Sequence, residues 1–299
     1  MEDNIFCTIL TPTYNRANYL IKLFKSLCKQ SDKNFEWIIV DDGSTDRTEE
    51  YVKKILKNTE KFNITYIKQN NGGKHRAINR GIENAKGEVF AIVDSDDFLT
   101  PNAIEKMKYG FDTIQNKDKF AGVAFQKGYD TKSAIGSTFK TKYVDCKSNE
   151  RTKNNIKGDK FEIFYTRILR NNLFPEIEEE TFIPEALVWT RIANNGFKLR
   201  WFNDIIYIAQ YLDGGLTDKR NELVIKNPKG YALYIREQVK YGNITFKQKM
   251  GFYSYYYTLL KDRNSIQGIA NILQTNVANI KISYMLRVFI KKMRRLYGK

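Results

Sequence analysis

Histidine is almost missing from this sequence of 299 residues: His75 is the only one, and the three cysteines, Cys7, Cys28 and Cys146, lie far apart with no CxxC pair. Zinc sites built on histidine or on cysteine pairs are thereby excluded, as is a disulfide framework, and a reducing, cytoplasmic setting fits the thiols. No apolar run reaches the length of about 18 residues that a membrane-spanning helix needs, and no basic segment leads into an apolar stretch at the start. The expectation is a protein neither exported nor threaded through a bilayer. Acidic residues are scarce at the other end. From Lys219 to Lys299, seventeen Lys and Arg face only Glu222, Glu237 and Asp262, so this part carries +14 of the net +16 and residues 1–218 carry +2. A near-neutral body with a strongly basic end points to an acidic partner for the C-terminal part alone.

What is present is a βαβ pattern. Thr8-Ile9-Leu10-Thr11 reads as a first strand, and Leu20, Leu23, Phe24 and Leu27 recur at helical spacing behind it. Trp37-Ile38-Ile39-Val40 is a second strand, followed by a polar turn whose Ser44 or Thr45 can cap a helix from about Asp46 to Leu56. Ile64-Thr65-Tyr66-Ile67 is a third, and Glu88 to Val93 is apolar enough for a central, buried fourth. Thr100-Pro101 has the residues favoured at the start of a helix. The segment from about Ala121 to Asn155 mixes short β-like runs with Gly and Lys and reads as strands and a loop. The fold class is therefore α/β, a Rossmann-like nucleotide-binding sheet with flanking helices.

Ligands of open parallel sheets sit outside the carboxyl ends of the strands. Three polar clusters fall there: Pro12-Thr13-Tyr14-Asn15-Arg16, Asp41-Asp42-Gly43-Ser44 and Asp94-Ser95-Asp96-Asp97. Carboxylates gathered on one rim repel one another unless a cation is bound. Oxygen donors without cysteine or a histidine cluster favour Mg²⁺ or Mn²⁺, and a hard cation of that kind completes its shell with water and phosphate oxygens. A nucleotide diphosphate is the ligand to expect. Asp41-Asp42-Gly43-Ser44 alone reads as a helix-capping turn; beside the other clusters it reads as part of a site.

Taken together, the early Pro-x-Tyr-Asn, the strand ending Ile-Val-Asp-Asp-Gly-Ser-Thr-Asp, the Asn-Gly-Gly loop and the strand ending Asp-Ser-Asp-Asp resemble the family 2 glycosyltransferases of GT-A fold, over roughly residues 5–217. The resemblance implies an inverting, metal-dependent transfer of a sugar from a nucleotide-sugar donor, with a uracil-type base favoured, to an acceptor hydroxyl in surface glycan or glycoconjugate synthesis. Pro12, Tyr14 and Asp41 or Asp42 would contact the nucleoside. Arg16, Asn71, Gly73 and Ser95 would line the same rim. Asp94 and Asp96 would form the DxD element, one near the ribose and one on Mn²⁺ or Mg²⁺, with Asp97 as an additional ligand. Many relatives carry an Ala-Arg-Asn triplet where this chain has Ala77-Ile78-Asn79, so Lys74, His75 or Arg76 would take over the phosphate contacts. Relatives often place Glu-Asp shortly before a tryptophan; Pro184-Glu185 precedes Trp189 here, which makes Glu185 the candidate base, with Glu176, Glu178, Glu179 and Glu180 as competing carboxylates. Trp189 is an acceptor-wall or core residue. Tyr211, Asp213, Gly215, Leu216 and Thr217 resemble the loop that closes over the site.

The implied catalytic domain is residues 1–217, with a mainly helical region over 218–299. From Ile282 to Tyr297 apolar residues fall on one helical stripe and Arg287, Lys291, Arg294 and Arg295 opposite. Such a helix either docks on the domain or lies on anionic lipid, and the latter is expected because acceptors of this family are often lipid-linked; the enzyme would then be peripheral at the inner face of the membrane. Two other classes fit less well. A phosphoryl or nucleotidyl transferase would share the carboxylates, but Gly72-Gly73-Lys74 lacks the spacing of a phosphate-binding loop. A nucleic-acid partner is not expected, because the basic residues are confined to the tail and no zinc-finger or RNP-like motif is present.

Overall fold

The computed structural model describes residues 5–57, 61–210 and 219–297. They fall into two compact units, Met1–Glu176 with Ile192–Tyr211, and Ile177–Arg191 with Leu212–Lys299.

The first unit is built on one nine-stranded sheet. Strands β1 (Cys7–Thr13), β2 (Phe35–Asp41), β3 (Asn63–Lys68) and β4 (Val89–Ile92) run parallel in the order β3-β2-β1-β4. Every residue of β1 and β2 is buried, as expected of central strands covered on both faces. Helices α1 (Ala17–Cys28), α2 (Thr48–Lys57) and α3 (Lys74–Asn84) make the crossovers. Helix α1 buries Leu20, Leu23 and Leu27, the apolar stripe read from the sequence, and each leucine contributes about 1.5–3 kcal/mol by leaving water.

Past β4 the sheet becomes mixed. The short β5 (Phe98–Leu99) leads into α4 (Ala103–Asp112), and then come β6 (Phe120–Gly128), β7 (Tyr143–Cys146), β8 (Lys160–Tyr165), α5 (Thr166–Arg170), α6 (Ala186–Asn194) and β9 (Lys198–Ile208). Strand β8 pairs antiparallel with β4, β6 antiparallel with β8, and β9 parallel with β6, while β5 and β7 pair antiparallel with different stretches of β9. Two predicted helix starts are corrected. Asp46, not Ser44 or Thr45, receives the Thr48 amide at 2.9 Å, so α2 begins two residues later than expected. Helix α4 begins at Ala103, and no side chain caps it.

The chain between β6 and β8 is held from inside by Lys160. This buried ammonium donates to Gln126 Oε1 and to the carbonyls of Lys157 at 2.7 Å and Ile135 at 3.2 Å. Burial, helped by the nearby Arg151 charge, pushes Lys160 down to about 8.

The second unit comprises α7 (Arg220–Lys226), α8 (Pro228–Tyr241), α9 (Phe246–Leu260), α10 (Ile266–Leu273) and α11 (Val277–Tyr297), packed around Tyr231, Ile235, Tyr256, Ile269 and Ile280. The sequence reading placed 177–191 with the preceding sheet, but here the segment belongs with these helices. Glu180 accepts from the amides of Lys229 and Gly230 at 2.7 and 2.6 Å and so caps α8. Arg191 forks onto Glu237, its Nε at 3.0 and 2.9 Å from the two oxygens. Among the described residues, no helix is long and apolar enough to cross a membrane.

Lys160→Met should destabilise the protein by about 2–4 kcal/mol, since buried carbonyls lose their donor. The wild-type protein should also gain stability as pH rises from about 8 towards the ordinary lysine value of 10.5, because in that window the unfolded chain holds the proton that the folded one has released. Urea unfolding across that range should show the slope in the wild type and not in the variant.

Candidate functional site

The parallel register brings the strand ends to one edge. Thr13 sits beside Asp41, Asp41 beside Lys68, and the Val93 amide donates to the Leu10 carbonyl at 2.8 Å, so the chain leaves β4 directly at Asp94. The clusters that follow β1, β2 and β4 therefore meet, together with the loop after β3.

Asp42 joins two of these segments. Its buried carboxylate accepts from Gln69 Nε2 at 2.8 Å and Gly72 N at 2.9 Å on one oxygen, and from Gly73 N at 2.7 Å on the other. Asn71 returns its side-chain amide to the Asp42 carbonyl at 2.8 Å. Two glycines make this approach achievable. Gly43 has φ +82°, and a Cβ there would stand 2.8 Å from Asn71 N; Gly73, with φ +96°, is the residue from which α3 starts. Asp41 is equally committed, accepting from Ser44 N at 2.7 Å and from the Tyr66 hydroxyl at 2.6 Å; burial first, and then this bond, raise the Tyr66 pKa. Asn15, in the left-handed region at φ 52°, accepts from Thr45 N at 2.8 Å and donates its own amide to Ser44 Oγ at 2.9 Å. An open depression of about 760 Å³ beside this turn is lined by Gly43, Lys68, Gln69, Asn70, Asn71 and Arg80.

The acidic triplet after β4 is paired with cations of the chain itself. Lys74 Nζ lies 2.6 Å from Asp94 Oδ1, and Arg16 Nη1 lies 3.6 Å from Asp96 Oδ2. Asp97 faces inward, its oxygens accepting from the Tyr207 hydroxyl and, at 2.7 Å, from the Gln210 amide. Tyr207 is fully buried and also receives the Asp94 amide at 3.2 Å. These environments split three near neighbours. Burial opposes ionisation of Asp94, but Lys74 and then Lys127 hold it below the ordinary carboxylate range. Burial and the Asp94 charge raise Asp96, and the same two causes push Asp97 up to about 6.

Several expected residues take defined places. Tyr14 exposes its ring, and Pro12 and Ser95 are buried in the rim. The hydroxyl of Thr13, buried at the end of β1, has no hydrogen-bond partner among the described residues. Of the three proposed phosphate contacts, Lys74 faces the acidic cluster, Arg76 reaches Glu176 at 3.3 Å and the Gly72 carbonyl, and His75 is buried in the first turn of α3. Glu185 and Trp189 belong to the second unit. Among the carboxylates competing with Glu185, Glu176 also accepts from Asn79 and Glu180 caps α8. Tyr211, Asp213, Gly215, Leu216 and Thr217 lie outside the described residues. Sequence reasoning missed Tyr66 and Tyr207 as site-forming residues. Tyr207 lies 110 positions from Asp97, in a strand whose pattern carries no sign of the partner it meets.

The donor set fits a hard divalent cation by chemistry, since Asp94 and Asp96 are half-buried oxygen ligands open to solvent on one side. Among the described residues, however, no group of three or more acidic, histidine or cysteine side chains is gathered at metal-binding spacing. Lys74 and Arg16 offset part of the repulsion among these carboxylates, and the Asp94 charge still raises Asp96 and Asp97.

Asp42→Ala should cost about 2–4 kcal/mol in urea unfolding, because the amides of Gly72 and Gly73 lose their acceptor. Asp96→Ala should stay within about 1 kcal/mol of wild type, its ion pair being long and partly exposed.

The model of the family described as Glycosyl transferase family 2 matches residues 8–176. Glycosyltransferase GlyG of Streptococcus pneumoniae is 35% identical over 123 residues, 41% of this chain and 40% of its own length. The Bacillus subtilis glycosyltransferase TuaG, whose name assigns it provisionally to teichuronic acid biosynthesis, is 35% identical over 99 residues, 33% of this chain and 39% of its own. The match thus spans about two-fifths of the length of these relatives. Among solved structures, Staphylococcus aureus TarS 1-349 in complex with UDP-GlcNAc aligns at a TM-score of 0.60 and 18% identity, over 94% of this chain and 90% of that one. Mannosyltransferase PcManGT of Pyrobaculum calidifontis, in complex with GDP-Man and Mn²⁺, aligns at 0.55 and 16%, over 100% and 89%. These structures share the GT-A fold expected from the sequence. With the family model covering more than half of the chain and the motif clusters assembled on one sheet edge, the protein belongs to glycosyltransferase family 2.

Proposed function

We propose that the edge formed by Thr13, Asp42, Lys74, Asp94 and Asp96 binds a nucleotide-sugar donor, preferably a UDP-sugar, and that the enzyme transfers the sugar with inversion to an acceptor hydroxyl in surface-glycan synthesis. One observation carries the reading: Lys74 and Arg16 rest on Asp94 and Asp96. A diphosphate arriving with a divalent cation matches this arrangement in charge, since the phosphates would pair with Lys74 and Arg16, Asp94 would be freed for the ribose and Asp96 would be freed to hold the metal. The ligands in the TarS and PcManGT structures, UDP-GlcNAc and GDP-Man with Mn²⁺, support the same ligand class. The name of TuaG supports a glycan product.

The roles follow from chemistry. The exposed Tyr14 ring offers a stacking face for the base, and the Thr13 hydroxyl offers a buried, unused hydrogen-bonding group beside it. Asp41 and Asp42 shape the base pocket chiefly by holding the turn and the Asn-Gly-Gly loop, with their remaining lone pairs available to a base N–H. Asp94 is assigned to the ribose side and Asp96 to the metal; Mn²⁺ or Mg²⁺, when bound, neutralises charge on the departing diphosphate. Lys74, at the first turn of α3, stabilises the same charge from the protein side. Glu185 is assigned as the base that takes the acceptor proton during attack on the anomeric carbon, and attack opposite the leaving group inverts that centre.

Thermal unfolding with UDP, GDP, CDP and dTDP, each with and without Mn²⁺, tests the reading. UDP with Mn²⁺ should raise the midpoint, and chelation should cancel the gain. Asp96→Ala should abolish the metal-dependent shift. Glu185→Gln should keep the shift and lower transfer by about 10²–10⁴-fold. A panel in which no nucleotide shifts the midpoint would overturn donor binding, and a Glu185→Gln variant that transfers normally would remove that residue as base.

A further inference from the structure

The last helix carries an apolar face that the protein itself leaves bare. Helix α11 is anchored only at its start: Ile280 and Ser283 are buried, and the Tyr284 ring meets Tyr257 edge-on at 5.2 Å. From Met285 to Leu296 every residue is exposed, including Met285 at 60%, Phe289 at 61% and Leu296 at 65%. At 3.6 residues per turn, Ile282, Met285, Leu286, Phe289, Ile290, Met293 and Leu296 share an arc of about 140°. Arg287, Lys291, Arg294 and Arg295 take the opposite side, and Lys281 and Lys292 flank the arc on its other border. An apolar stripe of this size in water marks an interaction surface.

We propose that the second half of α11 lies in the interface of an anionic lipid membrane, its apolar arc among the acyl chains and its basic borders among the headgroups. Charge selects this occupant. No Asp or Glu occurs after Asp262, so the helix offers cations on both borders of the arc and no anion anywhere along its length. A second copy of the helix packed face to face would set these basic borders against each other with nothing to neutralise them. An anionic bilayer supplies both an apolar phase and opposite charge, and a helix with a basic polar face and aromatic and aliphatic residues opposite is suited to that boundary. This inference is independent of the donor site, since it rests on α11 alone.

Co-sedimentation of the full chain with vesicles of phosphatidylcholine, alone or mixed with phosphatidylglycerol, tests it. The protein should sediment with the anionic vesicles only, and less as salt rises. Arg287→Glu, Lys291→Glu and Arg294→Glu should each lower the partition by about fivefold or more. Phe289→Asp should lower it as well while leaving the circular dichroism spectrum unchanged, because that ring is exposed. Equal sedimentation with neutral and anionic vesicles, or none with either, would overturn the proposal. So would dimers that form without lipid and dissociate in Phe289→Asp, which would give the face to a second copy.

Discussion

Asp42, buried at the end of β2, receives the amides of Gly72 and Gly73 and the side chain of Gln69, and this ties the second parallel strand to the loop that opens α3. The next residue along that loop is Lys74, which reaches Asp94 at the end of β4. A single carboxylate thus sets the relation between the strand-end turns and the cation that faces the acidic cluster. Because backbone amides are its principal partners, the arrangement depends on the path of the chain more than on any one rotamer. Gly43 and Gly73 are the positions where that path requires the left-handed region.

Three aspartates within four residues behave differently because their surroundings differ. Asp94 has a lysine within 2.6 Å, Asp96 has a more distant arginine, and Asp97 is turned into the protein against Tyr207 and Gln210. The acidic run is therefore a pair of solvent-facing carboxylates beside one that holds β9 to the end of β4. Asp97, expected as a further metal ligand, already has both oxygens in use within the protein.

Much of the first unit was legible because its signals are local. Apolar runs of strand length, helical spacing of Leu20, Leu23 and Leu27, and polar clusters directly after each run locate β1 to β4 and the edge where their ends meet. Legibility ends where partners are chosen across distance. That β8 enters the sheet antiparallel beside β4, and that Tyr207 closes over Asp97, depend on pairings between residues far apart in the chain. The cap of α2 was misplaced by one or two residues because Ser44, Thr45 and Asp46 all suit the role, and Asn15 settles the choice by engaging Ser44 and Thr45. The assignment of 177–191 was hidden for a similar reason: Glu180 reads as one more charge in an acidic run until α8 presents its first amides.

Lys160 gathers the carbonyls of Ile135 and Lys157 and the side chain of Gln126 around one ammonium, a role a bound ion fills in other proteins. Homologous chains could therefore lengthen or shorten the exposed stretch at residues 140–142, beyond Phe139, which Asn203 holds, and where the backbone does not meet this lysine, with little effect on the sheet. An insertion between 135 and 137, or beside 157, would displace a carbonyl from a fixed internal charge. The part of this excursion that can change length and the part that cannot are separated by the reach of one side chain.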